Sequence, residues 1–202
     1  MNYSLFYNFK LIGDVLMIVF NHDKRATRNA QNDDVVALYE NDELIGINIF
    51  NFSNIVKIHS EGLIVLPPNQ LIDAINAKIE NVGLSKLPYK EQSGFKIGHV
   101  LTCEEHPDSD HLHCLTVDVK EEVLDIVCGA PNVKVGQKVV VAMPGTTMFD
   151  GSLIFPSELR GIKSNGMLCS PRELHLPNAP QVRGILVLED NAEIGSDFFL
   201  RK

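Results

Sequence analysis

Three runs in the second half of the chain decide how it is read: HPDSDHLHCLTVDV at 106–119, IVCGAPNVKVGQKVVVA at 126–142 and LRGIKSNGMLCSPREL at 159–174. Each couples a short β-prone stretch to a turn built from Gly, Pro, Asn, Asp or Ser. Working outward, the same alternation reaches back to Phe95 and forward to Leu188. The expected strands are 97–103, 113–119, 123–127, 139–142 and 185–188. Short strands with turn signals at such intervals fit a small barrel or a sandwich, and the pattern alone does not choose between them.

The remainder of the chain sets the frame. Its 202 residues and 45% hydrophobic content allow a real core in one large or two small domains. The opening MNYSLFYNFKLIGDVLMIVF is broken by Asn8, Lys10, Gly13 and Asp14 and has no basic region before it, so it does not read as a signal peptide. No apolar run approaches the roughly 20 residues needed to span a bilayer. All four cysteines, Cys103, Cys114, Cys128 and Cys169, lie in the second half and form no small secreted framework. Reduced thiols and a cytoplasmic location are expected.

Residues 1–66 read mainly as strands. Tyr3, Leu5, Tyr7 and Phe9 alternate with polar neighbours, 15–20 is an apolar β-rich run, and 35–50 reads as a hairpin turning at Asn41 and Asp42. Pro67 and Pro68 end the last strand and Asn69 is placed to cap a helix. Leu71, Ile75 and Ile79 share one face of it, with Ile72 and Val82 beside them. Gly83 suits its end, and the polar segment 85–94, containing Pro88, reads as a linker. The expectation is an α+β domain over 1–84, a linker over 85–94 and an all-β domain over 95–202.

In the first motif Pro107 stops the strand, and Asp108 and Asp110 can bond nearby amides to fix a turn. In the second, CGAPN at 128–132 makes a tight connection that Asn132 can hold through its side-chain amide. The third is the densest basic and polar segment of the half, with Arg160, Lys163 and Arg172 around Ser164, Asn165, Gly166, Met167 and Ser170. In this fixed order the motifs resemble the tRNA-binding domain appended to several aminoacyl-tRNA synthetases, notably the bacterial phenylalanyl-tRNA synthetase beta subunit. The two-part layout resembles the YtpR-type tRNA-binding proteins of Gram-positive bacteria. The resemblance implies a five-stranded OB-fold barrel for 95–202 and a non-catalytic protein whose partner is tRNA or another structured RNA. Free-standing relatives dimerise, which makes a homodimer possible here. The family usually reads HPxADKL in the first motif; this chain has Ser109 and His111 instead, and so lacks the lysine's fixed charge.

The chemistry expected at the RNA follows the residue types. Backbone amides of the CGAPN turn with Asn132, Lys134 and Lys138, and the charges of Arg160, Lys163 and Arg172, meet phosphates. Ser164, Asn165 and Ser170 supply donors for phosphate or 2′-hydroxyl groups, Gly166 permits close backbone approach, and Met167 covers a sugar or base. Aromatic platforms are few: from 95 onward only Phe95, Phe149, Phe155, Phe198 and Phe199, which favours recognition of folded RNA by shape and backbone.

Net charge works against this. The chain carries −8, with −3 on 1–95 and −5 on 96–202. RNA contact must therefore use a local basic patch, with modest affinity that falls with salt. The acidic surface also supports an alternative, a protein-interaction module that keeps the OB-fold shape without RNA affinity. Cys103, His106, His111, His113 and Cys114 offer zinc-ligand types, but without paired CxxC or HxxxH spacing, so no metal or other cofactor is expected. An enzyme is not expected. Ile162 stands where a GxSxG elbow needs glycine, no HIGH or KMSKS signature is present, and the mixed cluster His22, Asp23, Lys24, Arg25 and Arg28 reads as a solvated loop.

Overall fold

The computed structural model describes residues 2–200, which form two compact units, one ending at Glu91 and one starting at Gln92. Both are mostly β. The first holds β1 (Ser4–Asn8), a one-turn α1 (Phe9–Ile12), β2 (Val15–Val19), β3 (Arg28–Asn32), β4 (Val35–Glu40), β5 (Glu43–Phe50), β6 (Glu61–Ile64) and α2 (Asn69–Glu80). Its strands make one antiparallel sheet in the order β3-β4-β5-β2-β1-β6.

Alternation on β1 buries Leu5 and Tyr7 beside Tyr3, as period-two patterning requires, and these meet Leu16, Ile18, Ile47, Ile49 and Phe52 in one core. Phe9 departs from the expected alternation: the chain turns into α1, capped by Asn8 Oδ1 on the Leu11 amide, and leaves Phe9 exposed. The β4–β5 hairpin turns at Asn41 and Asp42 as its sequence predicts, with Asn41 at φ 54°. β3 was not legible as a strand because all five of its residues are exposed and polar or small. The charged segment before it ties this edge down instead. Lys24 pairs with Glu43 and lies 3.7 Å from Glu40, and the Arg28 guanidinium sits 4.0 Å over the Tyr39 ring and 3.5 Å from Asp42.

α2 buries Leu71, Ile72, Ile75 and Ile79 on the face that the spacing predicts. Asn69 is its first helical residue and makes no cap; Pro68 precedes it, and the Pro68 carbonyl accepts from Leu71. Asn76, at 8% exposure, is the polar exception on the buried face. Its Nδ2 donates to the Leu87 carbonyl at 3.0 Å and its Oδ1 accepts the Leu87 amide at 2.7 Å. Part of the stretch expected as a linker is thereby fastened to α2, with Leu87 in the core and the Pro88 carbonyl accepting from the Tyr3 hydroxyl at 2.7 Å.

Asp14 fixes the opposite end of the sheet. Its Oδ1 accepts from the Tyr7 hydroxyl (2.9 Å) and the Ser53 amide (3.0 Å), and its Oδ2 from the Ser53 hydroxyl (2.6 Å). Burial pushes its pKa up, but the Ser53 and Tyr7 bonds outweigh burial and hold the carboxyl below its ordinary value. A depressed folded-state pKa gives stability that is complete above the unfolded carboxylate pKa, about 3.9, and is lost as pH falls through the folded value. Asp14→Asn is expected to destabilise the first unit by about 2 kcal/mol at neutral pH, with the gap to the natural chain closing below about pH 4. All four tyrosines (Tyr3, Tyr7, Tyr39, Tyr89) lie in this unit and the chain has no tryptophan, so tyrosine fluorescence in a urea titration reads it selectively.

The second unit holds β7 (Phe95–Glu105), β8 (His113–Asp118), β9 (Val123–Cys128), β10 (Lys138–Ala142), β11 (Ser157–Leu159), β12 (Ile162–Ser164), β13 (Met167–Leu168) and β14 (Val187–Leu188). Each expected strand has a counterpart, β7 longer than predicted and bulged near Leu101, and the strand expected over 185–188 reduced to Val187–Leu188. β11, β12 and β13 carry only two or three residues each, too few for a period to show. The ladder runs β13-β10-β7-β8-β9, with β14 also on β10 and β11–β12 a separate hairpin. The sheet is not closed by a ladder. Single bonds approach the gap: the Asn165 amide donates to the Asp125 carbonyl at 2.7 Å, and Ser164 Oγ accepts the Val127 amide at 3.1 Å. Val100, Leu115, Val117, Leu124, Ile126, Val139, Val141, Leu168 and Ile185 fill the interior. Among the described residues no helix is long and apolar enough to cross a membrane.

Candidate nucleic-acid interface

The three motifs meet in the second unit. His106, 3% exposed, accepts the Asp108 amide on Nδ1 at 3.1 Å, so its Nε2 carries the proton and donates to the Leu159 carbonyl at 3.2 Å. Arg160, in the left-handed turn of the β11–β12 hairpin (φ 48°), donates to the Asp108 carbonyl. The first motif thus docks the hairpin of the third. Both His106 ring nitrogens are engaged, and among the described residues no three His, Cys, Asp or Glu side chains converge to hold a metal.

Motifs two and three line an open cavity of about 290 Å³, to which the second contributes Cys128, Gly129 and Ala130 and the third Met167, Ser170 and Arg172. A second cavity of about 340 Å³ shares Met167, Ser170, Arg172 and Glu173 with the first and extends to Phe149, Asp150 and His175. Arg172 therefore stands on the wall between the two, exposed and without a partner among the described residues. Arg183, which the sequence reading did not single out, completes the first cavity and donates to the Gly129 carbonyl at 3.2 Å. Its only sequence signal is a lone cation beside Gly184, just before the apolar Ile185.

The remaining expected residues divide by position. Ser164 is 3% exposed, with its hydroxyl between the Val127 amide and the Gly166 carbonyl, so that it holds β9 to the third motif. Gly166 is needed by the fold: at φ 141° a Cβ there would lie 3.1 Å from the Ala142 carbonyl oxygen. Asn132, half-buried, uses its amide in a clamp, Nδ2 to the Ile185 carbonyl (3.0 Å) and Oδ1 from the Ile185 amide (2.9 Å). Gly184 must lack a side chain to admit it, since a Cβ would lie 2.9 Å from Asn132 Oδ1.

Ser170 and Glu173 cap one another, the Ser170 amide on Glu173 Oε2 at 2.7 Å and the Glu173 amide on Ser170 Oγ at 3.2 Å, which sets the turn that carries Arg172. Asn165 is half-buried and bonds β9 through its backbone. Lys138 is drawn away: Nζ donates to the Ala192 carbonyl at 2.6 Å, at the opposite end of β10 from the Ala142–Met167 pair. Lys134 is exposed beside the CGAPN turn. Lys163 lines a different groove with Thr102, Glu104, Thr116 and Asp125, so the three expected cations do not share one pocket. None of Arg160, Lys163 and Arg172 is locked to a carboxylate among the described residues.

The thiols are not poised for chemistry. Burial pushes Cys128 up against a smaller opposing pull from the Ala130 amide, and burial also raises Cys169, which is 0% exposed.

The family model described as "Putative tRNA binding domain" matches residues 95–197, and one described as a domain of unknown function, DUF4479, matches 22–87. The chain is 42% identical over 199 residues to "Putative tRNA-binding protein YtpR" of Bacillus subtilis (strain 168), covering 96% of this chain and 98% of that one. It is 44% identical over 137 residues to the phenylalanine-tRNA ligase beta subunit of Porphyromonas gingivalis, covering 64% of this chain and 16% of that one. With the corresponding subunit of Bacteroides thetaiotaomicron the identity is 50% over 107 residues, covering 51% and 13%.

Proposed function

The chain belongs to the tRNA binding domain family, and from that premise we propose that it is a non-catalytic tRNA-binding protein that recognises folded tRNA through residues 95–202. One observation carries the reading: the turn of CGAP and the Met167–Arg172 segment, far apart in sequence, line a single cavity with two guanidinium groups, Arg172 and Arg183. Guanidinium forks match phosphate oxygens, and so local a positive site is what an acidic chain needs to hold RNA. Exposed Lys134 and Lys163 extend the reach to flanking phosphates. The Asn165–Asp125 and Ser164–Val127 bonds across the open ladder support an OB-fold barrel for this unit. The sheet with α2 supports an α+β domain before it, with the boundary inside 85–94.

Four free cysteines support a cytoplasmic location, and the exposed β3 edge offers a surface for a homodimer, which light scattering at rising concentration would report.

Titration with total tRNA at low salt tests the reading. Binding is expected below about 10 micromolar, weakening with salt at a log-log slope of about −3, the value for three or four phosphate contacts. No binding at that concentration would refute it and favour the protein-interaction alternative.

A further inference from the structure

We propose that the cavity beside the stacked Phe149–His175 pair seats one unpaired, amino-bearing nucleobase, a purine by stacking area, so that the second unit reads a nucleotide as well as RNA shape. This rests on the tRNA-binding reading above.

The walls are those of a base seat. Phe149 and His175 stack on each other with centroids 4.6 Å apart and planes 14° from parallel, so the pair offers a base the outer face of a ring, a platform in a chain whose sequence showed few. Phe149 is itself braced by Phe95 and Phe199, at 6.4 and 6.0 Å, so the face is held in place from behind. The His175 ring is exposed, and Met148 and Met167 supply polarizable apolar lining. At about 340 Å³ the cavity is at the small end of ligand sites, which run from about 300 Å³.

Charge separates this cavity from its neighbour. The Arg183 cavity has two guanidiniums against Glu173, whereas the Phe149 cavity has Asp150 and Glu173 against Arg172 alone. The first attracts phosphate, and the second repels it while admitting a neutral heterocycle. Arg172, on the shared wall, stands where a nucleotide's phosphate and base would part.

Asp150 supplies the selectivity. Its Oδ1 accepts the Ser152 amide at 2.9 Å and the Ser152 hydroxyl at 2.7 Å, and these bonds, against burial, hold its pKa below the usual value. At neutral pH it is an acceptor-only group with Oδ2 left for a ligand. Adenine, cytosine and guanine present an amino donor to such a group. Uracil presents only N3–H, flanked by two carbonyl oxygens that the carboxylate repels.

The substitution Asp150→Asn makes a prediction opposite in sign to simple damage. Ser152 would hold the amide oxygen as it holds Oδ1, turning the amide N–H toward the cavity, where it would suit a uracil carbonyl. His175→Asn removes the ring while keeping a residue that tolerates the left-handed backbone at 175, φ 50°.

The test uses the full chain, end-labelled A5 and U5 oligonucleotides followed by anisotropy at low salt, and total tRNA in parallel. The natural chain is expected to bind A5 about tenfold more tightly than U5. Asp150→Asn is expected to bring the ratio to about one by tightening U5 while A5 weakens, where simple damage would leave U5 no tighter, and His175→Asn to weaken A5 about tenfold. A second readout needs no variant: 5′-AMP, and not 5′-UMP, should move the His175 ring proton resonances. An A5-to-U5 ratio unchanged by Asp150→Asn, or A5 affinity unchanged by His175→Asn, with tRNA still bound, overturns the base seat and leaves the tRNA reading standing. Equal or absent shifts with the two nucleotides do the same. Failure of the natural chain to bind tRNA overturns the parent reading and the seat together.

Discussion

Arg172→Ala is expected to weaken binding of total tRNA by about thirtyfold at low salt, equivalent to about 2 kcal/mol for a lost charge-assisted contact. The side chain is exposed, has no partner among the described residues and stands on the wall common to both cavities. Its removal costs the fold little, because the turn beneath it is set by the reciprocal Ser170–Glu173 bonds. Arg183→Ala should act in the same direction. In the double variant the salt slope should fall by about two, because each lost phosphate contact releases roughly one counterion fewer. Filter binding at several salt concentrations measures both quantities. An Arg172→Ala chain that binds tRNA like the natural one would remove the cavity from the proposed interface. Arg160→Ala is a poorer probe, because its guanidinium holds the Asp108 carbonyl and its loss would disturb the docking of the hairpin.

The second large effect is expected at two asparagines, Asn76 buried and Asn132 half-buried. Asn76 and Asn132 use the same device in separate units: one side-chain amide bonds both backbone groups of a single distant residue, Leu87 or Ile185, as a strand neighbour would. Truncation to alanine strips the donor and acceptor together and leaves an amide and a carbonyl unpaired, each costing about 1–3 kcal/mol where water cannot replace the partner. Asn76→Ala should therefore destabilise the first unit by about 3 kcal/mol, read by tyrosine fluorescence in urea. Asn132→Ala should cost the second unit a similar amount, read by far-ultraviolet circular dichroism, and should loosen the 183–185 wall that positions Arg183. Asp at either position tests the mechanism. It keeps the acceptor and loses the donor, so it should fall short of the natural chain even where its size fits. A loss under about 0.5 kcal/mol for Asn76→Ala would mean that water satisfies Leu87 and that the clamp is incidental.

These clamps mark the limit of what periodicity carries. Leu71, Ile75 and Ile79 announce α2 because a helix brings every third or fourth residue to one face, and the burial of that face follows from hydrophobicity alone. The Asn41–Asp42 turn is equally local, since a residue at positive φ between two β-prone runs has few other structures open to it. β3 has no such signature. It is a strand because β4 offers an edge and because Arg28 and Lys24 find Tyr39, Glu40 and Glu43 across it. Ser164 and Asn132 were plausible ligand donors in sequence because a hydroxyl or amide in a Gly-rich turn is usually wet. Tertiary contacts bury the first and occupy the second.

By itself the sequence determined the longer apolar strands and the turns between them, the face of α2, the net negative charge and the motifs that carry family membership. Each of these is fixed within a few residues or by composition. Only the tertiary structure decided that His106 fastens the first motif to the hairpin of the third, that Arg183 joins Arg172 on one cavity, and that Phe149 stacks on His175. Those pairs are separated by tens of residues in two of the three cases. Their proximity depends on how β7 through β13 curl around a shared core, and no local pattern encodes that curl.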